Sequence, residues 1–132
     1  MGQEKSVHLS KNNIVAKCRI DLPSSKSESN RVLIINAFVK GKLHNLSEAR
    51  DTQTMMRLLK SNAKELNVKD AGTTMRFLVS YCALKNKNKI LTGTQRMCER
   101  PIGILVDALR EIGAEIQYLK NDGFPPLETQ GF

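Results

Sequence analysis

Apolar residues recur at every second position from Ile14 to Ile20. Ile14, Ala16, Cys18 and Ile20 alternate with Val15, Lys17 and Arg19, the period of a strand with one buried face. Pro23 ends that pattern. Ser25 and Glu28 then stand at the spacing of a capping box, which predicts a helix from Ser25 or Ser27 through Val39, stopped at Gly41. Its run Val32-Leu33-Ile34-Ile35-Asn36-Ala37-Phe38-Val39 is apolar almost all round, which predicts burial between layers. A short strand is expected near Lys42 to Leu46. A second helix should start at Asp51 or Thr52, with Met55, Met56, Leu58 and Leu59 as its apolar stripe.

Glu65 to Val68 has the character of another strand. Asp70 is placed to cap a third helix carrying Met75, Phe77, Leu78, Val79 and Leu84. Lys89 to Thr92 is strand-like. Pro101 suits the first position of a fourth helix that ends at Gly113, with Ile102, Leu105, Val106, Leu109 and Ile112 facing inward. Ala114 to Leu119 alternates again, and Asn121-Asp122-Gly123 is a hairpin turn signal leading toward Leu127-Glu128-Thr129. The order strand, helix, strand, helix, strand thus occurs twice. Within it Ser29-Asn30-Arg31-Val32-Leu33-Ile34 matches Thr74-Met75-Arg76-Phe77-Leu78-Val79, with Arg76 lying 45 positions after Arg31. A repeat of that length implies two copies of one supersecondary unit in a mixed α/β (α+β) fold.

With 132 residues, 40% of them hydrophobic, the chain suits one domain with a real core. No apolar run approaches the ~20 residues of a bilayer span, and Met1-Gly2-Gln3-Glu4-Lys5 lacks the apolar stretch of a signal peptide. Cys18, Cys82 and Cys98 are odd in number and lack metal-like spacing, and only His8 and His44 could join them. Free thiols and no metal are therefore expected, in a cytoplasmic protein. The net charge of +8 calls for an acidic partner. The cations are spread along the chain, aromatic residues make up 5% and there is no Trp, which speaks against a nucleic-acid stacking surface. Lys85-Asn86-Lys87-Asn88-Lys89 reads as solubilising surface.

Chemistry concentrates in three segments, each at the expected start of a helix. They are Pro23-Ser24-Ser25-Lys26-Ser27-Glu28-Ser29-Asn30-Arg31, Asp70-Ala71-Gly72-Thr73-Thr74-Met75-Arg76, and Arg96-Met97-Cys98-Glu99-Arg100-Pro101. Each joins small hydroxyl or glycine residues, free backbone N–H groups and a fixed cation, the equipment for gripping phosphate or carboxylate. Ser27 and Arg31, four apart, share a helix face with Lys26 at its exposed end. The plainer alternative is a capping serine beside two solvated cations. Gly72 lets an anion touch the backbone, or serves packing. Arg76 reaches the same mouth or pairs with a carboxylate. Arg100, held out of helical geometry by Pro101, projects from a loop to clamp a carboxylate, or pairs with Glu99 or Asp107. Cys98 beside it reads as an inert thiol.

Together the segments resemble the 5-enolpyruvylshikimate-3-phosphate synthase family. The first resembles its P-G-S-K-S-x-S-N-R signature and the second its N-A-G-T-x-M-R segment. Leu91-Thr92-Gly93-Thr94-Gln95-Arg96-Met97-Cys98-Glu99-Arg100-Pro101-Ile102 resembles its L-T-G-x-x-R-M-x-x-R-P-I segment. Leu105 to Leu109, Gly113-Ala114 and Pro125-Pro126-Leu127 continue the match, in order and over nearly the whole chain. The resemblance implies repeated β-α-β-α-β-β units, about two of them here, at about 13–69 (shortened) and 66–132, together a partial amino-terminal domain. It also implies transfer of the carboxyvinyl group of phosphoenolpyruvate to the 5-hydroxyl of shikimate 3-phosphate, a step of aromatic amino acid biosynthesis, with no cofactor.

By that resemblance Lys26 contacts both substrates, Ser27 and Arg31 bind shikimate 3-phosphate, and Gly72 and Arg100 contact phosphoenolpyruvate or glyphosate. Thr73, Arg76 and Arg96 play supporting parts. Ser24 stands where the family has glycine, Asp70 where it has asparagine, and the connection from Leu59 to Asp70 is short. The family uses six units in two domains, and its acid–base carboxylates come from later sequence. The expectation is an amino-terminal part without a catalytic residue of its own, inactive alone and awaiting the second domain, with exposed apolar surface. A non-catalytic phosphate-binding module and a basic nucleic-acid-binding domain are the competing readings.

Overall fold

The computed structural model describes residues 6–11, 17 and 19–132. Most of the expected strand at Ile14 to Ile20 lies outside the described residues, and Lys17, Arg19 and Ile20 have no regular structure. Five helices and four strands follow: α1 (Lys26–Phe38), α2 (Arg50–Leu59), β1 (Glu65–Asn67), α3 (Gly72–Leu84), β2 (Lys89–Thr92), α4 (Gln95–Cys98), α5 (Gly103–Glu111), β3 (Glu115–Tyr118) and β4 (Leu127–Gly131). The sheet order is β1-β2-β4-β3, with β1 and β2 parallel and the other two pairings antiparallel. The series β1-α3-β2-α5-β3-β4 therefore has the order of one β-α-β-α-β-β unit, and α1 and α2 stand before it.

Alternation decides which sheet face is covered. Leu66, Leu91, Ile116, Leu127 and Thr129 are buried under the helices, while Glu65, Gln117 and Gln130 point to solvent. α3 lies centrally and buries Met75, Leu78, Val79, Cys82 and Ala83. On its other side sit α1 and α2, which contribute Leu33, Met55 and Leu58 to the same core. No described helix is long and apolar enough to cross a membrane.

Several expectations need correction. α1 is not enclosed, because α2 and α3 pack on one side of it and leave Ile35 and Val39 62% and 71% exposed. Lys42 to Leu46 forms no strand. It runs irregularly, with Asn45 at φ 56°, and is anchored by the Ser47 N–H donating to Ser29 Oγ at 2.9 Å. Asp70 does not cap α3, whose N-cap is Ala71; the Asp70 carboxylate accepts from the Thr94 hydroxyl instead. α5 begins at Gly103, after Pro101, since Ile102 lies outside helical geometry at φ −133° and ψ 1° and donates its N–H to Gly123 O at 2.8 Å. The β3–β4 turn is a longer loop, closed by the Leu119 N–H to Pro126 O at 2.9 Å, rather than a tight hairpin at Asn121 to Gly123.

Ile112 also departs from expectation, being 64% exposed, because α5 stops at Glu111. Gly113 takes φ 103° and reverses the chain, with Ala114 N–H donating to Leu109 O at 2.9 Å; a side chain there would be strained. The short helix α4 was not foreseen. Thr94 makes it by accepting the Met97 N–H on its hydroxyl at 3.3 Å.

Burial pushes the Cys82 thiol up from 9.0 to about 11, partly opposed by Lys87 and Lys89. Above pH 9 the unfolded chain loses that proton while the folded chain keeps it, so stability falls as pH rises from 9 toward 11. The folding constant should lose up to about tenfold per pH unit in that window. Denaturant melts of the wild type and Cys82→Ala across pH 8 to 11 should show this extra slope in the wild type only; equal slopes would contradict it.

Candidate anion-binding site

The site is assembled from helix starts. At the first turn of α1, Ser25 Oγ accepts the Glu28 N–H at 3.3 Å, leaving Lys26 exposed beside the remaining free N–H groups. Lys26 Nζ reaches across to Asp51 Oδ2 at 3.2 Å, in the first turn of α2. The backbone oxygen of Asp51 accepts from Thr74 Oγ1 at 3.3 Å, in the first turn of α3. Three helix amino ends are thereby stitched together through one aspartate.

The far ends of α1 and α3 meet as well. The Phe38 and Tyr81 rings pack edge to face with centres 5.4 Å apart, and Lys85 Nζ stands 4.9 Å from the Phe38 ring centre. These helices run the same way, so their positive dipole ends converge at one mouth while lysines gather at the negative ends. The mouth also lies at the carboxyl edge of the parallel pair β1 and β2, where Val68 N–H donates to Thr92 O at 2.9 Å. Open α/β sheets bind ligands at that edge. A cleft of about 470 Å³ opens there, lined in part by Asp51, Lys69, Asp70 and Ala71.

Gly72 and Arg100 are in direct contact. A Cβ placed on Gly72 would lie 2.7 Å from Arg100 Cζ and 2.8 Å from Nη2, so the guanidinium occupies the space that glycine leaves open. Arg76 donates to Gly72 O at 3.1 Å and to Pro101 O at 2.9 Å. Arg76 thus meets carbonyls rather than a carboxylate. Arg100 has neither of its anticipated ion-pair partners. Glu99 accepts from Gln95 at 3.3 Å, and Asp107 faces Arg110 at 3.8 Å. Among the described residues the Arg100 side chain makes no hydrogen bond or ion pair.

The remaining candidates are less connected. Arg31 turns back on its own helix, donating to Ser27 Oγ at 2.6 Å and Ser27 O at 3.2 Å, so these two form an exposed local pair. Thr73 is exposed in the first turn of α3. Arg96 is exposed on α4 and has no hydrogen bond among the described residues. Cys98 is half-buried, with Sγ 3.8 Å from Gly93 O. Asp51 was missed by sequence reasoning, which saw only a helix start. Its signal was an acidic residue in a first turn, facing a lysine that only the fold brings near. Asn30 was also missed. It is fully buried, and among the described residues neither of its side-chain polar atoms has a hydrogen-bond partner. Among the described residues no cluster of three metal-ligating side chains occurs.

A family model described as EPSP synthase (3-phosphoshikimate 1-carboxyvinyltransferase) matches residues 60–132, more than half of the chain. The chain belongs to this family. EPSP synthase relatives match upstream residues too. The 3-phosphoshikimate 1-carboxyvinyltransferase of Bacteroides fragilis is 50% identical over 117 residues, covering 87% of this chain and 28% of the relative. That of Sulfurovum sp. is 40% identical over 139 residues, covering 84% and 33%. The EPSP synthase of Acinetobacter baumannii superposes with a TM-score of 0.76 at 22% identity, over 85% of this chain and 31% of that one, and so shares the fold. The chain spans about a third of the length of the curated EPSP synthases it matches.

Gly72→Ala tests the contact at the centre of the mouth. Gly72 has no left-handed backbone that alanine would strain, and its crowding neighbour is the end of a flexible side chain, so the fold should be retained by circular dichroism. The alanine methyl group displaces Arg100, and affinity for inorganic phosphate, read by calorimetry, should fall about tenfold. Unchanged affinity would contradict the geometry.

Proposed function

We propose that this chain supplies the substrate-gripping half of the mouth in a 3-phosphoshikimate 1-carboxyvinyltransferase. The observation that supports this best is the meeting of Lys26, Gly72 and Arg100 at one end of the fold, through Asp51 and Thr74 on one side and direct contact on the other. In the proposed reaction the 5-hydroxyl of shikimate 3-phosphate takes the carboxyvinyl group of phosphoenolpyruvate, and phosphate leaves. Lys26 serves both substrates, Ser27 and Arg31 hold the sugar phosphate, and Gly72 and Arg100 hold phosphoenolpyruvate. Thr73, Arg76 and Arg96 support them.

The physical task is to bring two anions together. Two like unit charges ~5 Å apart repel by about 3 kcal/mol at an effective dielectric near 20. Convergent helix starts and fixed cations offset that repulsion before the substrates arrive, which is preorganised electrostatic stabilisation joined to positioning. The acid–base groups belong, in this proposal, to sequence beyond the 132 residues, as does the second domain that closes on the mouth. The chain alone then binds without turnover. The proposal includes the division into units at about 13–69 and 66–132. It also includes a cytoplasmic setting, in keeping with the free thiols Cys82 and Cys98.

Titration with shikimate 3-phosphate, and separately with a short oligonucleotide, tests this through the amide shifts of Lys26, Ser27 and Arg31. The expected result is saturable shifts with the sugar phosphate only, abolished in Arg31→Glu. Shifts that need the oligonucleotide, and that Lys87→Gln blunts as much as Arg31→Glu does, would overturn it.

A further inference from the structure

We propose that Arg76 is the positioning residue of this mouth, the side chain that seats the Arg100 guanidinium on the backbone of Gly72. This rests on the functional reading above for the ligand, but on geometry alone for the seating. Arg76 lies four positions after Gly72 in α3, so it rises from the same helix face one turn below the mouth. Its two terminal nitrogens are divided between two segments. Nη1 donates to Gly72 O at 3.1 Å, and Nη2 donates to Pro101 O at 2.9 Å. One planar group therefore sets the distance between the glycine and the peptide that follows Pro101, next to Arg100 in the chain.

The rest of that loop is held on both sides. Arg100 N–H donates to Met97 O at 3.1 Å, and Ile102 N–H donates to Gly123 O at 2.8 Å. Those bonds tie the loop to α4 and to the connection between β3 and β4. Arg76 supplies the bond that draws it sideways onto α3. Arg100 itself has no hydrogen bond or ion pair among the described residues. Its place on Gly72 therefore follows from where its backbone is held, and of these three bonds the one from Arg76 joins that backbone to α3.

The residue type follows from the task. A guanidinium presents two donors in a rigid fork, whereas an ammonium is a point charge on a flexible stem. Lysine at position 76 keeps the charge and reaches one carbonyl at a time. Arg76→Lys therefore separates position from charge.

The test compares wild type, Arg76→Lys and Arg76→Ala by nuclear magnetic resonance. The first readout is the nuclear Overhauser effect between the Arg100 side chain and the Gly72 α-protons. The second is affinity for inorganic phosphate, with far-UV circular dichroism and melting temperature as controls for folding. The expected result is that Arg76→Lys stays folded, loses the Gly72–Arg100 effect, and binds phosphate about tenfold more weakly. Persistence of that effect in Arg76→Lys overturns the proposal whatever happens to the ligand. So does its loss with phosphate affinity unchanged. If Arg76→Ala fails to fold, Arg76→Lys decides alone. Should the wild type ignore phosphate, phosphoenolpyruvate and shikimate 3-phosphate alike, the functional reading fails, and the seating is then decided by the Overhauser effect by itself.

Discussion

Parallel helix starts are the constraint on which the rest of this molecule depends. Each start leaves backbone N–H groups unpaired and carries roughly half a positive charge. Bringing α1, α2 and α3 to one end stacks like partial charges side by side, with Lys26 and Arg100 adding whole ones. The fold meets this in two ways. Asp51 sets its carboxylate against Lys26 of α1 and its backbone oxygen against Thr74 of α3, and Lys85 and Lys87 stand over the Phe38 and Tyr81 rings at the opposite ends. What remains at the mouth is a field directed at an anion, beside a cleft able to admit one.

Packing makes that arrangement rigid. α3 is wedged between the sheet and the α1–α2 pair, and its buried side chains Met75, Leu78 and Val79 belong to a single core with Leu33, Met55, Leu66 and Leu91. The first turn of α3 cannot shift without disturbing that core. The loops that carry Asp70 and Arg100 are then tied to it, by the Thr94 hydroxyl on Asp70 and by the Arg76 guanidinium on Pro101. Asp70, where the resemblance leads one to expect asparagine, is thus engaged by a hydroxyl at the β2–α4 turn.

Much of the fold was legible because period and punctuation agree with packing. α1, α2, α3, β1, β2, β3 and β4 lie within a few residues of where the hydrophobic spacing puts them. Sequence pattern failed where a distant partner decides. The 42–46 segment was expected as a short strand, yet pairs with no strand among the described residues. Pro101 suits a helix start, yet its carbonyl is claimed by Arg76 and its successor bonds Gly123. The three basic segments were legible as candidates for one mouth. The Asp51 link was not, because it joins residues 25 apart in sequence through the register of two helices.

On the proposed function, these helix starts form one anion receptor. The most direct test of this is an amide-resolved titration with inorganic phosphate at constant ionic strength. Amides in the first turns of α1 and α3, with that of Arg100, should shift on one common isotherm while those of Lys85 to Lys89 stay still. Shifts centred on the Lys85 to Lys89 segment, or separate isotherms for α1 and α3, would contradict it.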